Sequence, residues 1–299
     1  MRVIITGGTG LIGRRLTAQL LADKHEVIVL TRNPQKASKL PTGVRAQQWD
    51  GETGEGWSKL INGDTAIINL AGQPIITFPV TEAHKTKVLE SRLSAGHAVK
   101  DAIIAATEKP RVLIQSGAIG IYGDRGDEIL PESAHAADDW FGSTCTAWED
   151  SADGAPTRIV KIRTGIVLDP SGGALQPLML AARAFGGALG SGKQWMSWIH
   201  NDDQCGAIRH LMMTEAAEGP INIVAPNPVQ NKEFVKTLAK VMGTAAIFPA
   251  PELALRIALG DIAATLLDSQ RVSAQKLLDL GYQFRFTQLE AALRDLLKK

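Results

Sequence analysis

The feature that most constrains this chain is its opening, MRVIITGGTGLIGRRL. A β-branched run over Arg2–Thr6 leads into Gly7, Gly10 and Gly13, and an apolar-periodic segment begins at Leu11. Three glycines in G-x-x-G-x-x-G spacing, between a strand and a helix, meet three needs together. The chain turns tightly, its backbone approaches a pyrophosphate, and the helix packs close to the sheet. Each need excludes a Cβ at one position. Gly8 and Thr9 keep the loop small, and the first helical amides, those of Leu11 and Ile12, offer free N–H groups and the positive end of the helix dipole to a phosphate.

The rest of the first half repeats the same alternation. Strands are expected at Arg2–Thr6, Glu26–Thr31, Arg45–Trp49, Thr65–Asn69, Arg111–Ser116 and Thr157–Arg163, several of them apolar runs suited to burial on both faces. The longest helical pattern, Glu82–Ala106, follows a capping Thr81. This order predicts a Rossmann-type, doubly wound parallel α/β sheet over residues 1–164, to which later segments return. From Gly165 onward glycine and proline break the alternation, and residues 165–299 read as a smaller mixed α/β lobe, with a helical tail domain over 250–299.

The second strand selects the nucleotide. An acidic residue after EVIVL would hold ribose hydroxyls, but the chain has Thr31-Arg32-Asn33. A guanidinium fork suits a 2′-phosphate, with Lys36 one turn on, so NADP(H) is the expected cofactor. Asp50, ending the third strand, is a candidate acceptor for the adenine amine. Asn69, Leu70, Ala71 and Gly72 end the fourth strand, where small residues let a cofactor cross the sheet edge.

TGGTGLIG, NLAG and SGAIGIYG, in that order, resemble an extended short-chain dehydrogenase/reductase, the superfamily of nucleotide-sugar epimerases and dehydratases. Ser91-Arg92, IYGDRGDEILPE, CTAWE, GGALGSGKQWMSWIH and RVSAQKLLDLGYQF are similar to its atypical NAD-dependent epimerase/dehydratase-like branch, the "epimerase family" proteins. The likeness spans essentially the whole chain. It implies a Rossmann domain, NADP(H), a small C-terminal domain and, as in many extended members, a homodimer.

Extended members carry Ser, Tyr and Lys, the last two as Y-x-x-x-K, so that an ammonium one helical turn from the phenol lowers its pKa. This chain has two tyrosines, Tyr122 and Tyr282, and neither starts that motif. Aligned on Glu149, Phe141 falls at the Tyr position and Cys145 at the Lys position; Gly117, beside Ser116, falls near the Ser. Neither a phenyl ring nor a neutral thiol can do the usual job. The replacement candidates are Ser116, Tyr122 and Lys85, with Arg92 at the cofactor and Ser91 on the same helix as a hydrogen-bond donor. Tyr122 reads either as a cleft donor or as a packed loop residue, Lys85 either as a cation facing the cleft or as part of a solvated helix face, and Cys145 either as a nucleophile or as a small buried hydrophobe. Trp195, Trp198 and His200 are candidates for gripping a ring-shaped substrate, with a core role as the alternative for His200. Asp203 is expected to cap a helix through Ile208. Arg163 either clamps an anion or pairs within the fold.

These features leave two functional readings. One is an NADP(H)-dependent epimerase- or reductase-like enzyme acting on a small carbonyl or hydroxyl compound, sugar-nucleotide-like in class; the other is a non-catalytic NADP(H)-binding sensor. A formal charge of +1 gives no case for nucleic acid, no apolar run spans a bilayer, and scattered histidines with two cysteines suggest no metal site. The expected compartment is the reducing cytoplasm.

Overall fold

The computed structural model describes residues 1–35, 40–75, 81–184, 186–244, 248–253 and 263–298. Seven strands form one sheet: β1 (Arg2–Thr6), β2 (Glu26–Thr31), β3 (Arg45–Gln48), β4 (Thr65–Asn69), β5 (Val112–Ala118), β6 (Arg158–Thr164) and β7 (Gly219–Ile223). Their order is β7-β6-β5-β4-β1-β2-β3, with β1 central to the parallel pairs β4–β1–β2. Stepping out from β1 in both directions is what a doubly wound α/β fold requires. Burial on both faces explains the apolar runs, since Val3, Ile4 and Ile5 of β1 and Ile67 and Ile68 of β4 have no exposed surface.

Helix α1 (Leu11–Ala22) turns Leu16 and Leu20 toward the sheet. Helix α2 (Glu82–Ala105) starts at the expected cap, the Thr81 side chain accepting from the His84 N–H. Its buried face, at helical spacing, runs Val88, Arg92, Ala95, Val99 and Ala102, so one cation sits in an otherwise apolar stripe. Helix α3 (Trp140–Asp150) follows β5.

The chain divides into two compact units. The first comprises Met1–Gly117, Thr144–Arg163 and Cys205–Ile221, the second Ala118–Ser143, Thr164–Gln204 and Asn222–Lys299. The first unit has a core that includes Ile4, Ile28, Trp57, Ile67, Val99 and Leu113. The second unit contains a three-stranded sheet of Ile166–Asp169, Gly172–Gly173 and Trp198–His200, with paired short strands such as Arg271–Val272 on Ile129–Leu130. Helices α4 (Leu175–Ala184), α6 (Asn231–Met242) and α7 (Leu289–Leu297) pack around Leu168, Trp198, Phe234 and Leu293.

Helix α5 (Asn201–Met213) begins two residues before Asp203, so Asp203 is not its cap. Its carboxylate instead accepts the backbone N–H groups of Arg285 and Phe286 at 2.8 and 2.9 Å and the Tyr282 hydroxyl at 3.0 Å. A local helix signal and a long-range tie compete for one carboxylate, and the tie wins.

Candidate functional site

The glycine loop forms the middle of a cleft of about 1410 Å³ in the first unit. Gly7 has φ +66°, and a Cβ there would lie 2.5 Å from the Leu70 carbonyl oxygen. A Cβ on Gly13 would lie 2.5 Å from the Gly7 oxygen. The Gly10 N–H donates to that oxygen at 2.9 Å, closing the turn. Helix α1 then begins at Leu11 with no side-chain cap and no acid in its first turn, which leaves its leading amides for an anion.

Gly7, Thr9 and Gly10 line the centre of the cleft. Thr31, Arg32 and Asp50 line one side, and Leu70, Ala71 and Gly72 the other. Leu11, Ile12, Gly13 and Arg92 are not among the residues that line it.

The β4 wall is held by a buried polar chain. The Ala71 N–H donates to Thr6 Oγ1 (3.1 Å), Thr6 Oγ1 to Asn69 Oδ1 (2.6 Å), Asn69 Nδ2 to Gln115 Oε1 (2.9 Å) and Gln115 Nε2 to the Trp148 carbonyl (3.0 Å). All three side chains in the chain are fully buried. Asn69 therefore fixes the wall from inside.

The β2 wall is basic. The Arg32 guanidinium makes no hydrogen bond or ion pair among the described residues, and the same holds for Arg14, which lines the cleft from the first turns of α1. Arg14 was not anticipated from sequence; its signal was the GRR that continues the glycine loop. Lys36 lies outside the described residues. Asp50 organises the adjoining turn: Oδ1 accepts the N–H groups of Glu52 and Thr53, and Oδ2 the Thr53 hydroxyl at 2.6 Å. Partial burial would raise its carboxyl, but these hydrogen bonds prevail and hold it below the ordinary range.

The region of the expected proton relay is organised differently. Phe141 and Cys145 both lie on α3; Phe141 meets Trp140 edge-on at 4.7 Å, and Cys145 is buried. A Cβ on Gly117 would lie 2.8 Å from Glu149 Cγ, so Glu149 fills the space a serine side chain would take. Arg163 pairs within the fold: its Nε and Nη2 donate to the Glu149 carboxylate at 3.0 and 3.1 Å. Burial nevertheless raises the Glu149 carboxyl, outweighing Arg163.

The remaining candidates are dispersed. Ser116 is buried on β5, and Lys85 pairs with Glu82 on its own helix at 2.8 Å. Ser91 accepts the Gln73 N–H and donates to the Val88 carbonyl. Tyr122 is fully buried and donates to Asn222 Oδ1 at 2.7 Å, a packed position.

In the second unit, Trp198 is wholly buried with its indole N–H on the Asn227 carbonyl, a core role. Trp195 is half-buried, donates to Asp127 and carries Arg271 on its face at 4.5 Å. His200 is buried, stacks on Phe286 at 4.1 Å and accepts the Asp202 N–H through Nδ1. Burial lowers its pKa, against the pull of Asp202 and Asp295. His200, Asp202 and Asp295 bring three potential ligand atoms within 4.8 Å, but Arg285 pairs with both carboxylates and so already supplies their positive charge.

Three comparisons bear on this architecture. The NAD dependent epimerase/dehydratase family model matches residues 3–146, and the model of a domain of unknown function, DUF1731, matches 250–296. The chloroplastic SDR39U1 homolog of Arabidopsis thaliana, an epimerase family protein, is 36% identical over 309 residues, covering 100% of this chain and 87% of that protein. Epimerase family protein YfhF of Bacillus subtilis is 35% identical, covering 99% of this chain and 98% of its own. The crystal structure of human epimerase family protein SDR39U1 with NADPH superposes with a TM-score of 0.90 at 33% identity, covering 100% and 99% of the two chains. Among the described residues no helix is long and apolar enough to cross a membrane.

Proposed function

Because this chain belongs to the NAD dependent epimerase/dehydratase family, among its epimerase family proteins, we propose that it binds NADP(H) in the first unit's cleft and acts on a small carbonyl or hydroxyl substrate, sugar-nucleotide-like in class. One observation carries the cofactor reading: two guanidiniums without an acidic partner among the described residues, Arg14 and Arg32, flank a glycine cradle that a Cβ would fill. The human relative was crystallised with NADPH. Bound NADP(H) supplies or accepts a hydride.

The chain's own residues have definite parts in this reading. Arg14 and Arg32 take the 2′-phosphate in charge-assisted hydrogen bonds. The amides of Leu11 and Ile12 take the pyrophosphate. A carboxylate has about four acceptor positions. Asp50 fills three of them with Glu52 N–H, Thr53 N–H and Thr53 Oγ1, which leaves one for the adenine amine. Ala71 and Gly72 keep the β4 wall low enough for the cofactor to pass.

Titration with NADPH, NADH and their oxidised forms tests this. Binding of NADPH at least about tenfold tighter than NADH is expected from one charge-assisted contact. No binding below millimolar concentration would sink the proposal.

A second reading, a sensor without turnover, is favoured by Glu149 filling the space beside Gly117 and by Phe141 and Cys145 on α3. Screening diverse carbonyl compounds with NADPH separates the two, since silence throughout favours the sensor. Pairing into a homodimer and residence in a reducing cytoplasm, with Cys145 and Cys205 as thiols, complete the proposal. Sedimentation checks the pairing.

A further inference from the structure

Parts of IYGDRGDEILPE, GSGKQWMSWIH and RVSAQKLLDLGYQF meet at one place in the second unit, where the cofactor reading uses none of them. Trp195 is tied there at two points. Its backbone N–H donates to Ser269 Oγ at 3.0 Å, and its indole N–H to Asp127 Oδ1 at 2.7 Å. Arg271 opens a short strand that pairs with Ile129–Leu130, with Arg271 opposite Ile129. Its Cζ lies over the Trp195 ring at 4.5 Å. Both side chains are half-buried.

The Arg271 guanidinium makes no hydrogen bond or ion pair among the described residues. Acids stand close by in sequence and strand register, since the adjoining loop carries Asp124, Asp127 and Glu128. Each has other partners. Asp124 Oδ1 accepts the Ser269 N–H at 3.0 Å and the Gly126 N–H at 3.4 Å, and Asp127 takes the Trp195 indole. Glu128 receives Nε and Nη2 of Arg125, both at 2.9 Å. The chain thus neutralises Arg125 and leaves Arg271 without an anion.

A guanidinium presents five N–H donors in a planar fork that matches a carboxylate or a phosphate. Contact with an aromatic ring holds that fork in place without spending its donors, so a ligand has less side-chain freedom to remove. Ile129, opposite Arg271, is 58% exposed and sets an apolar surface beside the cation. The three carboxylates of the loop disfavour a polyanion such as nucleic acid, which leaves a small molecule with one anionic group.

We propose that Arg271, held on Trp195, binds the phosphate or carboxylate of a small ring-bearing molecule whose apolar face lies on Ile129. The site lies wholly in the second unit and does not rest on the NADP(H) reading, so failure of NADPH to bind would leave it standing.

The test uses three sugars as ligands: glucose 1-phosphate, glucuronate and neutral glucose. The full chain is titrated with each while the indole N–H resonance of Trp195 is followed by NMR. That resonance is assigned among the six tryptophans by its loss in Trp195→Phe. At least one of the two anionic sugars is expected to shift it saturably below about 10 mM, the one that binds more tightly naming the anion, while glucose leaves it in place. Arg271→Met is expected to weaken that binding by about tenfold or more, the factor carried by one charge-assisted hydrogen bond. No saturable shift with either anion, an equal shift with glucose, or unchanged binding in Arg271→Met would overturn the site and leave Arg271 as a structural cover for Trp195. Thermal melting runs alongside. If Arg271→Met does not fold, Arg271→Lys decides, because an ammonium keeps the charge without the fork: weakened binding supports the assignment, and wild-type binding overturns it.

Discussion

The loops after β1 and β2 and the end of β5 belong to the same unit but satisfy their polar groups in opposite ways. Around Gly7, Gly10, Arg14 and Arg32, close approach is left to backbone, and the two guanidiniums have no hydrogen-bond or ion-pair partner among the described residues. At the end of β5, Glu149 fills the space beside Gly117, and Arg163 neutralises it. On the proposed reading the first region is completed by a ligand, whereas the second is completed by the chain itself. The absent serine is therefore not simply a deletion, because the space beside Gly117 is filled by a buried Glu149–Arg163 pair.

The sharpest way to break this comparison is Glu149→Ala. If the β5 region is self-completed, stranding Arg163 in a buried site costs about 3–5 kcal/mol, read by urea unfolding. A loss below about 1 kcal/mol would mean the pair is dispensable and the contrast false. Next, Arg14→Ala and Arg32→Ala should each weaken NADPH, relative to NADH, by about 1.5–3 kcal/mol while changing stability by no more than about 0.5 kcal/mol. The two regions would thus respond in opposite assays, one in folding and one in binding. Tyr122→Phe should behave like the self-completed class and cost about 1 kcal/mol or somewhat more in unfolding, since Asn222 Oδ1 loses its donor in a buried place.

The smallest effect is expected at His200. Burial holds its folded pKa below 6.5, so between that lowered value and 6.5 the unfolded chain binds more protons and stability rises with pH. Stability should fall as the pH drops below 6.5, by no more than about 1.4 kcal/mol per pH unit for one site. His200→Asn should flatten that slope between pH 7 and 5.5.

The strands and glycine turn that frame the cleft were legible because their signals are local. The glycine spacing, the strand runs and Thr31-Arg32 each specify nearby backbone geometry or charge, and β1, β2 and β4 span the expected residues. The β5 side was not legible to the same depth. Phe141 and Cys145 announced that the usual Tyr and Lys were missing, but what fills the space beside Gly117 depends on Glu149, 32 positions away, and on Arg163 from another strand. The two open readings of Arg163 could be separated only by seeing its partner. Arg14 escaped notice because a solvated arginine and a cleft-lining one look alike on an amphipathic helix. Asp203 carried a helix-start signal, and its partners, Tyr282, Arg285 and Phe286, are about eighty positions away.

The polar chain from Ala71 to Trp148 has a consequence for how this wall can change over time. Its donors all point the same way, so the Thr6 hydroxyl hydrogen is committed and each side chain both gives and receives. Hydrogen bonds linked in one direction polarise one another. Replacing Thr6, Asn69 or Gln115 alone would reverse or interrupt the sequence of dipoles, whereas replacing two neighbours could re-form it in another register. These three positions should therefore drift as a set rather than singly, and pairwise substitution costs among them should depart from additivity. The amide of Ala71, anchored at one end, should be among the slowest in the first unit to exchange its hydrogen with water.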